Sequence, residues 1–156
     1  MRLDPDPQLL DGHRQRALGA ATLLLAQDPT WRGDLHAFLR DELVPAFRHG
    51  KLAFFMGADE QPIGFAIWAH LGELTEARLL RDADLGLHLS EWNEGERLWL
   101  RALHLPRKFW REGLAAWNLH SPDDGTLRVA VTRKGATHLL ELDPRTLTRL
   151  ARWTSR

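Results

Sequence analysis

The sequence predicts one α+β domain, a mostly antiparallel sheet with helices over at least one face. Three observations carry that expectation. Two helix-period segments open the chain. Five apolar or alternating runs follow, four of them joined in pairs by turn chemistry, and shorter helical segments fall between them. No repeat, low-complexity tract or long linker divides the 156 residues, a length that suits a single domain with a substantial core. Residues 1–16 are expected to form an N-terminal arm and the start of the first helix, and residues 17–156 the domain itself.

The elements follow in order. The Asp4-Pro5-Asp6-Pro7 units read as a loose arm. Gln8 to Gln27 carries Leu9, Leu10, Ala17, Ala20, Ala21, Leu24 and Leu25 near helical spacing; Gly19 within it suggests close packing at that point. Asp28-Pro29 breaks the run, and Thr30 is expected to cap a second helix to about Phe47, with Pro45 bending or ending its last turn. Lys51 to Met56 and Ile63 to Leu71 read as strands joined by the turn residues 57–62, an antiparallel hairpin. Leu74 to Leu80 suggests a short helix, and Asp82 to Glu94 a polar connection. Glu96 to Leu105 alternates, with Arg97, Trp99, Arg101 and Leu103 on one face and Leu98, Leu100, Ala102 and His104 on the other. Arg107 to Leu119 is a helix, residues 126–132 and 137–142 a final hairpin, and Pro144 to Trp153 a closing helix.

Composition narrows the chemistry. The 21 basic side chains balance 21 acidic ones, which argues against a surface built to grip nucleic acid. Without cysteine there are no disulfides, thiol nucleophiles, iron–sulfur clusters or thiolate zinc sites, and without tyrosine no phenol chemistry. The longest strongly apolar stretch, Leu18 to Ala26, is too short to span a bilayer, and no secretory signal opens the chain, so a cytoplasmic protein without stable membrane insertion is expected. Seven tryptophans suggest a well-packed core or an apolar groove. No phosphate-binding loop, dinucleotide fingerprint, nucleophile elbow or helical histidine pair is present, so no metal site is expected.

The order of short motifs does resemble a known family. Leu18-Gly19, Asp28-Pro29-Thr30-Trp31-Arg32 and Leu43-Val44-Pro45-Ala46 look like the two opening helices of the RTX toxin-activating lysine acyltransferases. The run from Gln61 to Leu71 is similar to that family's strand ending in a Ser-Trp-Ala segment. Trp92 to Trp99 resembles its Gly-Asp-Arg-x-Trp motif, and Pro106 falls where the family's Ala-Pro follows. These pieces keep order and spacing from about residue 17 to 106.

That resemblance implies a fold similar to the GNAT acetyltransferases, often as a homodimer. It implies transfer of a fatty acyl group from acyl carrier protein to a lysine of a toxin or peptide acceptor, with no bound cofactor. It also implies a catalytic histidine just after the proline of the first interhelical turn and an aspartate on the strand after Gly-Asp-Arg-x-Trp. Those positions hold Trp31 and Ala102, so the family chemistry cannot run here with its usual residues. His104, two residues beyond Ala102 and on the same strand face, is the candidate for a substitute base, the alternative being a satisfied, half-buried strand histidine. Trp68 and Trp99 either wall an acyl channel or fill the core, and His70 is placed to line the same cleft. Arg32 and Arg97 are candidates to meet an acidic carrier protein or its phosphate. The alternative is a catalytically inactive relative that keeps the groove to bind a partner or an acyl chain.

Overall fold

The computed structural model describes residues 2–4, 11–82, 86–120, 126–133, 136–143 and 145–146. Six strands form one sheet in the order β1-β2-β3-β4-β5-β6. They are β1 (Arg2–Asp4), β2 (Leu52–Met56), β3 (Pro62–Leu71), β4 (Arg97–His104), β5 (Leu127–Arg133) and β6 (Ala136–Leu142). Every neighbouring pair is antiparallel except β4 and β5, which run parallel. Parallel neighbours need a crossover, and helix α5 (Trp110–His120) lies between those two strands in the chain. The expected loop 121–125 and all but two residues of the expected closing helix lie outside the described residues.

The sheet separates two apolar layers. Leu52, Phe65, Ile67, Ala69, Leu71 and Trp99 face one side, where α1 (Asp11–Gln27) supplies Ala21 and Leu25 and the next helical segment supplies Leu43, Ala46 and Phe47. Ala53, Phe55, Ala66, Trp68 and Leu98 face the other side, against Ala116 and Trp117 of α5. Period-two alternation along β2 and β3 is what sorts these residues.

Four local expectations are corrected. The N-terminal arm is not loose at its start: Arg2–Asp4 pairs with Phe54–Met56 as an edge strand. Thr30 does not cap the second helix: its N–H and hydroxyl donate to the Asp28 carboxylate, at 2.8 and 2.7 Å, in a turn that ends α1, and the helix begins only after Asp34. Asp34 caps instead, accepting from the Ala37 N–H, and α2 starts at Leu35. Gly19 marks no tight contact, since a Cβ there would meet nothing within 4 Å among the described residues.

The fourth correction concerns β4. Ile67 lies opposite Ala102 while the next residue, Trp68, lies opposite Leu100, so Arg101 is a surplus residue in a β-bulge. The strict alternation read from the sequence therefore breaks there. Ala102 and His104 cross to the face that carries Trp99, and Leu103 moves to the α5 side.

A second irregularity faces the first. Helix α2 (Leu35–Phe38) passes through a π-helical segment, Leu39–Leu43, into α3 (Val44–Arg48). The Val44 N–H reaches back to the Leu39 carbonyl, and this wider turn admits Pro45 without ending the helix. Glu42 of the π segment and Arg101 of the bulge form a two-pronged, largely buried ion pair. One salt bridge thus ties the displaced turn of the helix to the displaced residue of the strand.

Candidate functional site

The end of α1, the connection from it to α2, the start of β3 and the end of β4 enclose a cleft of about 950 Å³, closed on its far side by the turn into α5. Sequence positions the parts. Asp28-Pro29 stops α1, and the Asp28 carboxylate folds the next two residues into a tight turn. Gly33 lets the Trp31 indole lie back over the chain, because a Cβ there would sit 2.5 Å from the ring. Gly64 lets β3 approach β4 closely, since its Cβ would fall 2.4 Å from the His104 carbonyl oxygen.

An aromatic row floors this end of the molecule. Trp31 meets Phe38 edge-on at 6.2 Å, Phe38 meets Phe65 at 6.3 Å, and Phe65 stacks on the His104 imidazole at 5.4 Å. At the rim the Trp110 indole is 44% exposed, while its N–H donates to the Leu105 carbonyl at 2.7 Å and the Arg107 guanidinium lies over its ring. The cleft lining thus combines apolar surface from Leu24, Trp31, Ile63 and Trp110 with the cations Arg32 and Arg107.

His104 is the titratable group that the cleft half-buries among these rings. Burial pulls its pKa below the ordinary 6.5, opposed more weakly by the Asp28 charge and by the Leu24 carbonyl. Its Nδ1 lies 3.7 Å from the nearer Asp28 carboxylate oxygen. Asp28 is held below the usual carboxylate range, first by the Thr30 hydroxyl and then by the Thr30 N–H. At neutral pH the arrangement is thus a neutral imidazole facing an ionised carboxylate, chemistry suited to accepting a proton.

The structure gathers only some of the residues singled out in the sequence. Trp31, Arg32 and His104 line the cleft. Arg32 folds its guanidinium onto the carbonyls of Pro29 and Trp31, so it braces the loop as well as charging the mouth. Ala102 is on the His104 face but packs into the apolar layer beneath the cleft, in the same cluster as Trp31. Trp68 and Trp99 lie on opposite faces of the sheet, both buried, and neither lines the cleft.

His70 pairs with Leu98, five residues along β3 from the Phe65–His104 pair and therefore about 17 Å away. It contacts Lys51 instead, Nζ to Nδ1 2.7 Å, and burial lowers the pKa of that lysine. Arg97 is also remote: it binds Glu76 of α4 (Glu73–Arg81) at 2.6 Å, and the same buried carboxylate accepts from the Trp99 indole at 2.7 Å. Arg128 completes this group at 3.5 Å from Glu76. The motif residues Arg97 and Trp99 are thus committed to a structural carboxylate that the sequence reading left unassigned.

Asp28, Arg107 and Trp110 were likewise missed as cleft residues. The one local signal was Asp28 two residues before Thr30, the spacing of a side-chain-capped turn. Among the described residues, no cluster of three or more histidines and carboxylates is placed to hold a metal, and no helix is long and apolar enough to cross a membrane.

Comparison with known proteins places this geometry in a family. Residues 11–108 match the model of the RTX toxin acyltransferase family, a span that includes both sides of the cleft. Over 83 residues, 53% of the chain, it is 32% identical to an RTX-III toxin-activating lysine-acyltransferase of Actinobacillus pleuropneumoniae, covering 47% of that protein. Over an equal length it is 30% identical to an RTX-II toxin-activating lysine-acyltransferase of the same organism, covering 51% of it. The chain spans about half the length of the curated relatives it matches. With the match running from α1 through β4, over more than half of the chain, the chain belongs to the RTX toxin acyltransferase family.

Proposed function

We propose that the chain transfers a fatty acyl group from acyl carrier protein to a lysine, or another amine, of a toxin or peptide acceptor, with His104 as general base. The observation that carries this reading is a half-buried imidazole, held neutral, in a cleft of about 950 Å³ whose lining, Trp110 apart, falls in the family-matched region. In the reaction the acceptor nitrogen attacks the thioester carbonyl carbon, a C–N bond forms, and the C–S bond breaks. His104 takes the proton that the nitrogen sheds and returns it to the departing thiolate. Trp31 and Trp110 offer apolar surface for the acyl chain, and Arg32 and Arg107 offer positive charge toward an acidic carrier. A cytoplasmic location, a GNAT-like lineage and a homodimer belong to the same reading.

The test is intact-mass spectrometry of acceptor peptides incubated with the protein and carrier protein bearing acyl groups of different lengths. An added acyl mass is expected, and His104→Gln should slow its appearance by about 10²- to 10⁴-fold. Transfer that proceeds at an unchanged rate in that variant would remove His104 from the mechanism.

A second reading has its own observation. Trp31 and Ala102 fill the positions where the family resemblance calls for histidine and aspartate, which favours a relative that binds an acyl chain or partner without reacting. Acyl-carrier binding at the cleft with no transfer to any acceptor is the outcome that would establish it.

A further inference from the structure

The two titratable partners at the cleft come from different elements. Asp28 follows the last residue of α1, and His104 ends β4. Thr30 occupies one carboxylate oxygen of Asp28 with both its hydroxyl and its N–H, which leaves the second oxygen, Oδ2, turned to His104 Nδ1 at 3.7 Å. That separation exceeds a hydrogen bond, as catalytic pairs often do before substrate arrives. Stacking on Phe65 restrains the imidazole plane, and in the observed orientation the Nδ1 edge faces Asp28. The charged groups around it in the cleft are Asp28 and Arg32 from the interhelical loop and Arg107 from the turn after β4, and the imidazole also donates a hydrogen bond to the Leu24 carbonyl of α1. Among these described groups Asp28 supplies the negative charge.

We propose that Asp28 is the positioning residue for His104, fixing Nδ1 as the proton-bearing nitrogen and leaving Nε2 to take the acceptor's proton. This rests on the acyltransfer reading for its purpose, though not for its geometry. A neutral imidazole exists as two tautomers, and only the one with a bare Nε2 works as this base. A fixed carboxylate beside Nδ1 selects that tautomer and stabilises the imidazolium as it forms. The Thr30 turn makes the carboxylate rigid and keeps it ionised. The resulting pair has the acid on the loop and the imidazole on the strand, the reverse of the arrangement that the family resemblance implies for the positions of Trp31 and Ala102.

The experiment is nitrogen-15 imidazole NMR on the full chain, with the His104 signal identified by its loss in His104→Gln. Wild-type protein should show one predominant tautomer, protonated at Nδ1. Asp28→Asn keeps an oxygen for the Thr30 N–H and Asp28→Ser keeps a shorter one, so the turn survives while the charge is gone. In both variants the His104 titration midpoint should fall, and the tautomers should mix. In the transfer assay Asp28→Asn should reduce kcat by at least about tenfold with KM little changed. The acid limb of its pH profile should move to lower pH.

An unchanged tautomer and midpoint in both variants would overturn the proposal. The NMR change without acyl transfer by the wild-type protein would retain the pair and discard the acyltransfer reading. Transfer that needs His104 but is indifferent to Asp28 would do the reverse.

Discussion

The two ends of the central strands treat an acid in opposite ways. At one end Glu76 is buried with two arginines and the Trp99 indole in hydrogen-bond or ion-pair reach, so its oxygens are fully engaged. At the other end Asp28 gives one oxygen to Thr30 and leaves the second 3.7 Å from a half-buried imidazole in an open cleft. Closed satisfaction makes a carboxylate structural, because moving a proton or a partner there costs buried hydrogen bonds. Incomplete satisfaction beside a cavity leaves a group with capacity to respond to a ligand. The family motif residues Arg97 and Trp99 fall on the closed side of this contrast, which assigns them to holding α4 against the sheet.

The sharpest way to break the contrast is Glu76→Leu. It leaves Arg97, Arg128 and the Trp99 N–H without their shared acceptor, and unfolding stability should fall by about 3 kcal/mol in urea titrations. A loss below that of an ordinary surface change would show that the network is not what holds this end together.

Gly64→Ala attacks the open end through the backbone. Its added Cβ meets the His104 carbonyl at 2.4 Å and the Leu105 Cα at 3.1 Å, neither of which is a flexible tip. A loss of about 2 kcal/mol is expected, and the His104 NMR signal should move with it while the Trp99 indole signal stays in place. Movement of both signals would mean that the two ends are one cooperative site.

The smallest effect is the pH dependence of stability. His104 titrates below its ordinary 6.5 when folded, so the unfolded chain takes up a proton first as pH falls. Stability should therefore decline as pH drops through about 6.5 and below, and His104→Gln should flatten that decline. The Asp28 contribution appears in a separate window: its folded pKa is depressed, so its stabilisation is present above 3.8 and lost as pH falls further. An undiminished decline near pH 6.5 in His104→Gln would assign it to another histidine.

Much of this architecture is legible in the chain because local signals agree. Residues 57–62 are turn formers between two apolar runs, and β2 and β3 pair as that pattern requires. Trp31, Arg32 and His104, each singled out in the sequence, line one cleft, whereas His70, Arg97, Trp68 and Trp99 do not. What stayed hidden depends on contacts far apart in sequence. Thr30 looks like a helix cap until the Asp28-capped turn defers the helix start to Asp34, and Trp68 and Trp99 look alike until the register puts them on opposite faces. Nothing in Leu100-Arg101-Ala102-Leu103 announces a bulge, because Arg101 earns its place through Glu42, a residue on a distant helix.

That surplus arginine gives β4 a tolerance in length. A chain lacking Arg101 would still set Ala102 across from Ile67 and His104 across from Phe65, because the bulge already excludes it from the ladder. Its loss would straighten the strand and release Glu42, yet the same imidazole would face the cleft. Removing Leu103 instead would shift the phase by one and turn the imidazole toward α5. When homologous strands are aligned here, a gap at the bulge is functionally silent, whereas a gap two residues later rewrites the site.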